Sequence, residues 1–358
     1  MTFYKVQHQA QDNRIGKTSK RGNMKLLWTG LLILTLLVLS ACGQDSSNSA
    51  KIVEGKVNVV TTFYPVYAFT TAIGGEDANV INLLPTGVEP HDWTPKSQDI
   101  VNTSKAQLFF YNGAGLEGWV PNFLKSLNSD TQVKSVAVSE GVKLLTAEGD
   151  DGHGHGHGHG HGEEHEDEHA DEHTDEATSE DVADHHIDPH TWVSPKSAMI
   201  MAENIKNSLV EADPDHKAGY EQRYEELRTK LETLDQRFTD ELANVPNNEI
   251  VVSHQAFGYL ARDYGLTQHA IMGLSPDAEP TGQDIVKLAK LVKDEGIKYI
   301  FFEELVSDKL AKTLASEAGV ETMVLNPVEG LTKEQATNGD DYFTLMEKNL
   351  QNLLIALK

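Results

Sequence analysis

Residues 213–242 read DPDHKAGYEQRYEELRTKLETLDQRFTDEL. Asp213-Pro214 places a capping carboxylate ahead of a proline at the first helical position, which marks a helix start. Beyond it Tyr220, Tyr224, Leu227, Leu231, Leu234, Phe238 and Leu242 recur at steps of four, three, four, three, four and four. That period predicts one apolar stripe along a helix of about 30 residues, on the order of 45 Å long. Such a helix, expected over 213–245, is longer than a single small lobe needs. A rigid strut across two lobes explains it, with a coiled-coil seam as the alternative use.

Outward from the strut, both flanks alternate strand and helix patterns. On the N-terminal side, Val57 to Thr62, Val80 to Leu84 and Gln107 to Tyr111 are short β-rich runs, and Thr94-Pro95 and Ser194-Pro195 signal helix starts. On the C-terminal side, Glu249 to Ser253, Lys298 to Phe302 and Glu321 to Leu325 read as strands. Between them lie an amphipathic helix from Gly282 to Glu295 and a helix capped by Ser307 that runs to Ala318. Strands alternating with helices imply parallel βαβ units. The expected fold is therefore α/β: two doubly wound lobes, 57–212 and 246–358, joined by one long helix.

The chain has 358 residues, with 55 acidic and 30 basic side chains and a formal charge of −25. That balance argues against nucleic acid as a partner, because phosphate recognition runs on Lys and Arg. A 39% apolar content supports a folded core. The single cysteine excludes an intramolecular disulfide and a Cys-based zinc finger. It follows a basic lead, an apolar run from Leu26 to Leu39, and Ser40-Ala41. That run is too short to span a bilayer comfortably and reads as a secretory signal, 1–41, with Met24 an alternative start. Small residues ahead of Cys42 resemble the lipobox of bacterial lipoproteins, which implies cleavage before Cys42, lipidation of its thiol and a polar tether over 42–56. The expected location is the extracellular face of a bacterial cytoplasmic membrane.

Histidine is the unusual component, with 16 residues, ten of them in 150–186 beside 14 acids and no Lys or Arg. Such a tract cannot bury enough apolar surface to offset its ordering entropy, and its composition is that of a metal collector. The candidates for that role are His153, His155, His157, His159, His161, His165, His169 and His173. His165-Glu-Asp-Glu-His169 matches the HExxH spacing of zinc peptidases, but it lacks the apolar helix face that the motif requires.

The informative histidines lie elsewhere. His254 directly follows the strand run Ile250 to Ser253. His91 lies in the turn after Val80 to Leu84, His190 just ahead of the helix at Pro195, and Glu329 shortly after Glu321 to Leu325. Open α/β sheets bind ligands beyond the carboxyl ends of their strands, so these four have a reason to meet in one crevice between the lobes. Three imidazoles and one carboxylate form a closed tetrahedral set suited to Zn²⁺. A saturated set leaves no position for an activated water, which favours holding the ion over a zinc hydrolase. Mn²⁺ prefers more oxygen donors, whereas Cu²⁺ and Ni²⁺ compete on affinity. Glu303 and Glu304, at the end of a neighbouring strand, fit the carboxylate position by spacing as well as Glu329 does. His216 and His269 are expected to be structural, and Trp192, Phe257 and Tyr259 to pack around the site.

Val88-Glu89-Pro90-His91-Asp92, Asp188-Pro189-His190-Thr191-Trp192, Ser253-His254-Gln255-Ala256-Phe257-Gly258-Tyr259 and Asn326-Pro327-Val328-Glu329-Gly330 resemble the metal-site segments of zinc-binding lipoproteins that serve ABC importers. The resemblance runs from Val57 to the C-terminus, interrupted by the His-rich insert. It implies His91, His190, His254 and Glu329 as ligands, Zn²⁺ as cargo, and a membrane permease with its ATPase as partners of a monomer. Manganese members of the wider group carry a carboxylate where His254 stands, so Mn²⁺ is the secondary expectation. A surface metal store or adhesin using the His-rich tract is the reading from another class. Affinity for the ion is expected to fall below about pH 6.5, where free imidazole gains its proton.

Overall fold

The computed structural model describes residues 52–127, 131–146, 187–276 and 280–358. The signal segment, Cys42 and the His-rich tract with its HExxH match lie outside the described residues.

The first half runs β1 (Val57–Thr61), α1 (Tyr64–Gly74), β2 (Ala78–Asn82), α2 (Ser97–Thr103), β3 (Leu108–Tyr111), α3 (Val120–Ser126) and β4 (Lys134–Ala137). A 3-10 turn at Thr191–Val193 leads into α4 (Pro195–Ala212), and a second at Pro214–His216 into α5 (Lys217–Leu242). The second half comprises β5 (Glu249–Val252), α6 (Gly258–Tyr264), β6 (Thr267–Ala270), α7 (Gly282–Asp294), β7 (Tyr299–Phe302), α8 (Lys309–Ala318) and β8 (Glu321–Val324). It closes with α9 (Lys333–Asn338) and α10 (Tyr342–Ala356).

Each half holds a four-stranded parallel sheet, ordered β2-β1-β3-β4 and β6-β5-β7-β8. The two orders are the same. In each, chain progression reverses beside the first strand, between β1 and β3 and between β5 and β7. This is where an open α/β sheet forms its crevice.

All seven stripe residues of α5 are buried. They pack against α4 and α1 of the first half and α10 of the second, and one apolar core runs continuously through both halves. Polar ties hold each end of the helix. Arg223 donates to the Ile73 carbonyl and to Asp77, both at 2.7 Å, and Asp235 accepts from the Tyr264 hydroxyl at 2.8 Å. At 26 residues, α5 is about 39 Å long.

Several expected elements differ in detail. Strand β2 begins two residues early, because polar Asn79 is tolerated in the ladder by donating to the Asn58 side chain at 2.8 Å. The spacing misses β4 and β6 altogether. Their sequences, Lys-Ser-Val-Ala and Thr-Gln-His-Ala, are polar because each is an edge strand with a partly solvated face. Thr94-Pro95 precedes α2 without opening it; the helix starts at Ser97, with the Asp99 carboxylate accepting from the Lys96 amide at 2.7 Å. Ser194 does precede α4, but its hydroxyl donates to Asp263 at 2.5 Å and does not cap the helix. Asp213 likewise binds His216 at 2.6 Å and Tyr220 at 2.8 Å. The helix expected from Ser307 has Asp308 as its flanking residue.

Candidate metal centre

The chain positions four donors at the mouths of the two sheets. His254 leaves the end of β5 at the reversal point, and Glu329 follows β8. His91 sits in the turn after β2, and His190 immediately precedes the 3-10 turn before α4. His190, His254 and Glu329 are buried, while the His91 side chain keeps 10% exposure. Their ligand atoms all lie within 4.8 Å of one another.

The separations are specific. His190 Nε2 lies 3.2 Å from His91 Nε2 and 3.3 Å from His254 Nε2. Glu329 Oε1 lies 3.2 Å, 3.4 Å and 3.6 Å from the Nε2 atoms of His190, His91 and His254. A tetrahedron with bonds of about 2.0–2.1 Å has edges of about 3.3–3.4 Å, so these spacings are those of donors around one small ion. Glu329 Oε1 is buried and has no hydrogen-bond partner among the described residues. A lone carboxylate oxygen aimed at three imidazole nitrogens is costly unless a cation lies between them.

Carboxylates behind the rings set which nitrogen faces inward. Asp188 Oδ1 accepts from His190 Nδ1 at 2.8 Å and from the His190 amide at 2.9 Å. Glu303 Oε1 pairs with His254 Nδ1 and accepts from the Ser253 hydroxyl at 2.5 Å. With Nδ1 committed as donor, Nε2 is the free lone pair on each ring. Gly258 gives Asp188 its room, since a Cβ there would stand 2.4 Å from Asp188 Oδ2. The Glu89 carboxylate braces the third loop by accepting from the His91 amide at 2.9 Å.

The same charges move the proton equilibria of the metal-free site. Burial alone would push His254 down, but the charge and hydrogen bond of Glu303, then Glu329, outweigh it and push it up to about 10. His190 is raised in the same way: burial opposes, and the hydrogen bond to Asp188 together with the adjacent Glu329 carboxylate prevails. Glu329 is held well below the usual carboxylate range, because three imidazoles overcome its desolvation.

The structure brings together the four residues singled out in the sequence and separates the substitutes. Glu303 stands behind His254 as its orienting partner. Glu304 faces elsewhere, its Oε2 accepting from Asn326 at 2.7 Å and Gln335 at 2.6 Å. His216 pairs with Asp213, and His269 pairs with Glu249 at 2.6 Å. Trp192, Phe257 and Tyr259 are buried; the Trp192 ring lies 5.4 Å from that of His190, and the Tyr259 hydroxyl donates to the Asp188 carbonyl at 2.7 Å. Residues that the sequence reading missed form the floor under His190. Asn112, at the end of β3, donates to the Pro189 carbonyl at 2.8 Å and accepts from the Thr191 hydroxyl at 3.0 Å. Buried Glu117 accepts from the Asn112 amide at 2.8 Å and the Thr62 hydroxyl at 2.6 Å. No motif marked them, because a buried hydrogen-bonding residue needs no fixed spacing from what it supports.

Two like-wound halves, a helical strut and a donor cage at the facing sheet ends define a two-lobed α/β fold whose crevice gathers donors that could hold a metal ion. The family model described as "Zinc-uptake complex component A periplasmic" matches residues 59–356. The chain belongs to this family. It is 40% identical over 329 residues to the Bacillus subtilis protein named "High-affinity zinc uptake system protein ZnuA", covering 91% of this chain and 96% of that one. It is 40% identical over 334 residues to the "Zinc-binding lipoprotein AdcA" of Streptococcus pneumoniae, covering 92% of this chain and 60% of that one. The chain thus spans about three fifths of the length of the streptococcal relatives it matches. Among solved structures, the Zn(II)-bound ZnuA-like domain of Streptococcus pneumoniae AdcA superposes with a TM-score of 0.67 at 37% identity, covering 85% of this chain and 99% of that one.

Proposed function

We propose that this chain captures Zn²⁺ outside the cytoplasm and delivers it to an ABC-type importer, with His91, His190, His254 and Glu329 as the ligands. The observation that carries the reading is the cage itself: Glu329 Oε1, without a hydrogen-bond partner among the described residues, lies 3.2–3.6 Å from the Nε2 atoms of three imidazoles. Three nitrogens and one oxygen saturate tetrahedral Zn²⁺ and leave no position for an activated water, so the site holds an ion and does not hydrolyse with it. One oxygen donor is too few for Mn²⁺, which favours octahedral oxygen sets. Lipidation at Cys42 would keep the protein on the membrane beside its permease and ATPase, and the His-rich tract would raise the local ion concentration.

Capture follows from the packing. The strut and the shared core oppose a wide swing of the halves, so the ion is taken up by local ordering of loops. The least buried ligand, His91, belongs to the turn that lines a cleft of about 520 Å³ with Val88, Glu89, Asp92, Trp93, Leu305 and Ser307. This acid-bearing cleft is the approach for a hydrated cation, whose waters are exchanged for imidazoles in turn.

Native mass spectrometry of the mature protein lacking residues 150–186 should find one Zn²⁺ retained per chain. A protein that loses tight binding with this deletion would refute the cage as the cargo site. Glu303→Gln should weaken Zn²⁺ binding by about 10- to 100-fold in a chelator competition, the usual effect of removing a carboxylate that orients a ligating histidine.

A further inference from the structure

Two ligand-bearing segments from opposite halves are tied by a hydrogen bond that the ligand set itself does not require. Trp192, two residues after His190, is fully buried. Its indole Nε1–H donates at 2.7 Å to the carbonyl of Pro327, two residues before Glu329. Phe63 packs edge-on against the indole at a centroid distance of 4.6 Å, and the Tyr342 hydroxyl holds the Trp192 main chain by donating to its carbonyl at 2.7 Å.

The turn that Trp192 grips is under strain. Val328, between Pro327 and Glu329, has φ of 59°. A β-branched residue adopts this left-handed conformation only where its surroundings impose it. On its own side the turn is held by Asn326, whose Oδ1 accepts from the Val328 amide at 2.7 Å. Asn349 brackets the Asn326 backbone at 2.8 Å and 2.6 Å. Trp192 supplies a hold from the other half.

We propose that Trp192 is a positioning residue for Glu329: its indole N–H pins the strained turn so that the carboxylate stands at bonding distance from the three imidazoles. The inference rests on Glu329 being a zinc ligand, and it makes placement of the fourth donor depend on the segment that carries His190.

A double-mutant cycle tests it, with Zn²⁺ affinity measured by chelator competition on the wild type, Trp192→Phe, Glu329→Ala and the double variant. Trp192→Phe should weaken binding by about tenfold, since a buried carbonyl loses its donor. The same change should have little effect once Glu329 is gone, because the group it positions is absent. In the Co²⁺-loaded protein, the intense visible absorption of a four-coordinate site should fall in Trp192→Phe toward that of Glu329→Ala. Equal losses in both backgrounds, or an unchanged Co²⁺ spectrum, would reduce Trp192 to a packing residue and overturn the proposal. Should Trp192→Phe fail to fold, replacing the indole by benzothiophene, of the same shape but without the N–H, supplies the same comparison. If Glu329→Ala binds Zn²⁺ as tightly as the wild type, the ligand assignment fails first, a result distinct from the absence of coupling.

Discussion

His254→Ala is expected to weaken Zn²⁺ binding by about 10²- to 10³-fold. Four-ligand protein sites hold Zn²⁺ with about 10–16 kcal/mol, or about 2.5–4 kcal/mol per ligand, and each 1.4 kcal/mol is a decade in affinity. The variant carries a second penalty. Glu303 is buried and pairs with His254 Nδ1, so the truncation strands a carboxylate in the interior and should destabilise the metal-free protein by about 3–5 kcal/mol. Chelator competition and a thermal melt measure the two effects separately. His269→Ala is the control, because His269 is partly exposed and pairs with Glu249 away from the cage. Near-native affinity in His254→Ala would remove the cage from consideration.

Affinity should also rise steeply with pH, by at least about 100-fold between pH 6.5 and 8.5. His254 binds its proton up to about pH 10 in the metal-free site, so each Zn²⁺ bound near neutrality releases that proton. One proton over two pH units is a factor of about 100. His190, also raised, adds a second proton of the same sign. The ordinary imidazole range suggested a decline only below about pH 6.5, whereas Glu303, Asp188 and Glu329 extend the competition well above it. The sign is opposite for the metal-free fold. A histidine whose folded pKa lies above its unfolded value contributes stability that is complete below about pH 6.5 and fades as pH climbs toward 10. The melting temperatures of loaded and metal-free protein should therefore diverge as pH rises. Calorimetry in buffers of different ionisation enthalpy should count between one and two protons released near pH 7.5. A count of zero, with affinity flat above pH 7, contradicts this account.

The parts of the fold that the sequence exposes are those with a strong periodicity. The stripe from Tyr220 to Leu242 marks α5, and buried runs such as Ile250 to Val252 mark the central strands. Edge strands β4 and β6 carry mixed polar residues, so nothing in their pattern separates them from loops. Ser194-Pro195 and Asp213-Pro214 locate helical starts even though neither side chain caps, each having a better partner, whereas Thr94-Pro95 opens no helix. His91, His254 and Glu329 stand out because each follows a strand that ends at the crevice, and His190 because it stands directly ahead of a helix start. Choosing among Glu303, Glu304 and Glu329 requires geometry, since all three follow neighbouring strands of one sheet. The roles of Asp188, Glu303 and Trp192 are tertiary facts: each acts on a partner whose approach depends on how the loops pack.

The narrow edges of the cage have a consequence for the ions it must ignore. Ca²⁺ requires six to eight oxygen contacts at about 2.3–2.6 Å, and Mg²⁺ surrenders its hydration shell reluctantly. A nitrogen-rich enclosure with a single oxygen, walled by the rigid backing of Asp188 and Glu303, offers neither of them replacement for lost water. Abundant hard cations would then be turned away by their own solvation, and the scarce softer ion would face little competition for the seat.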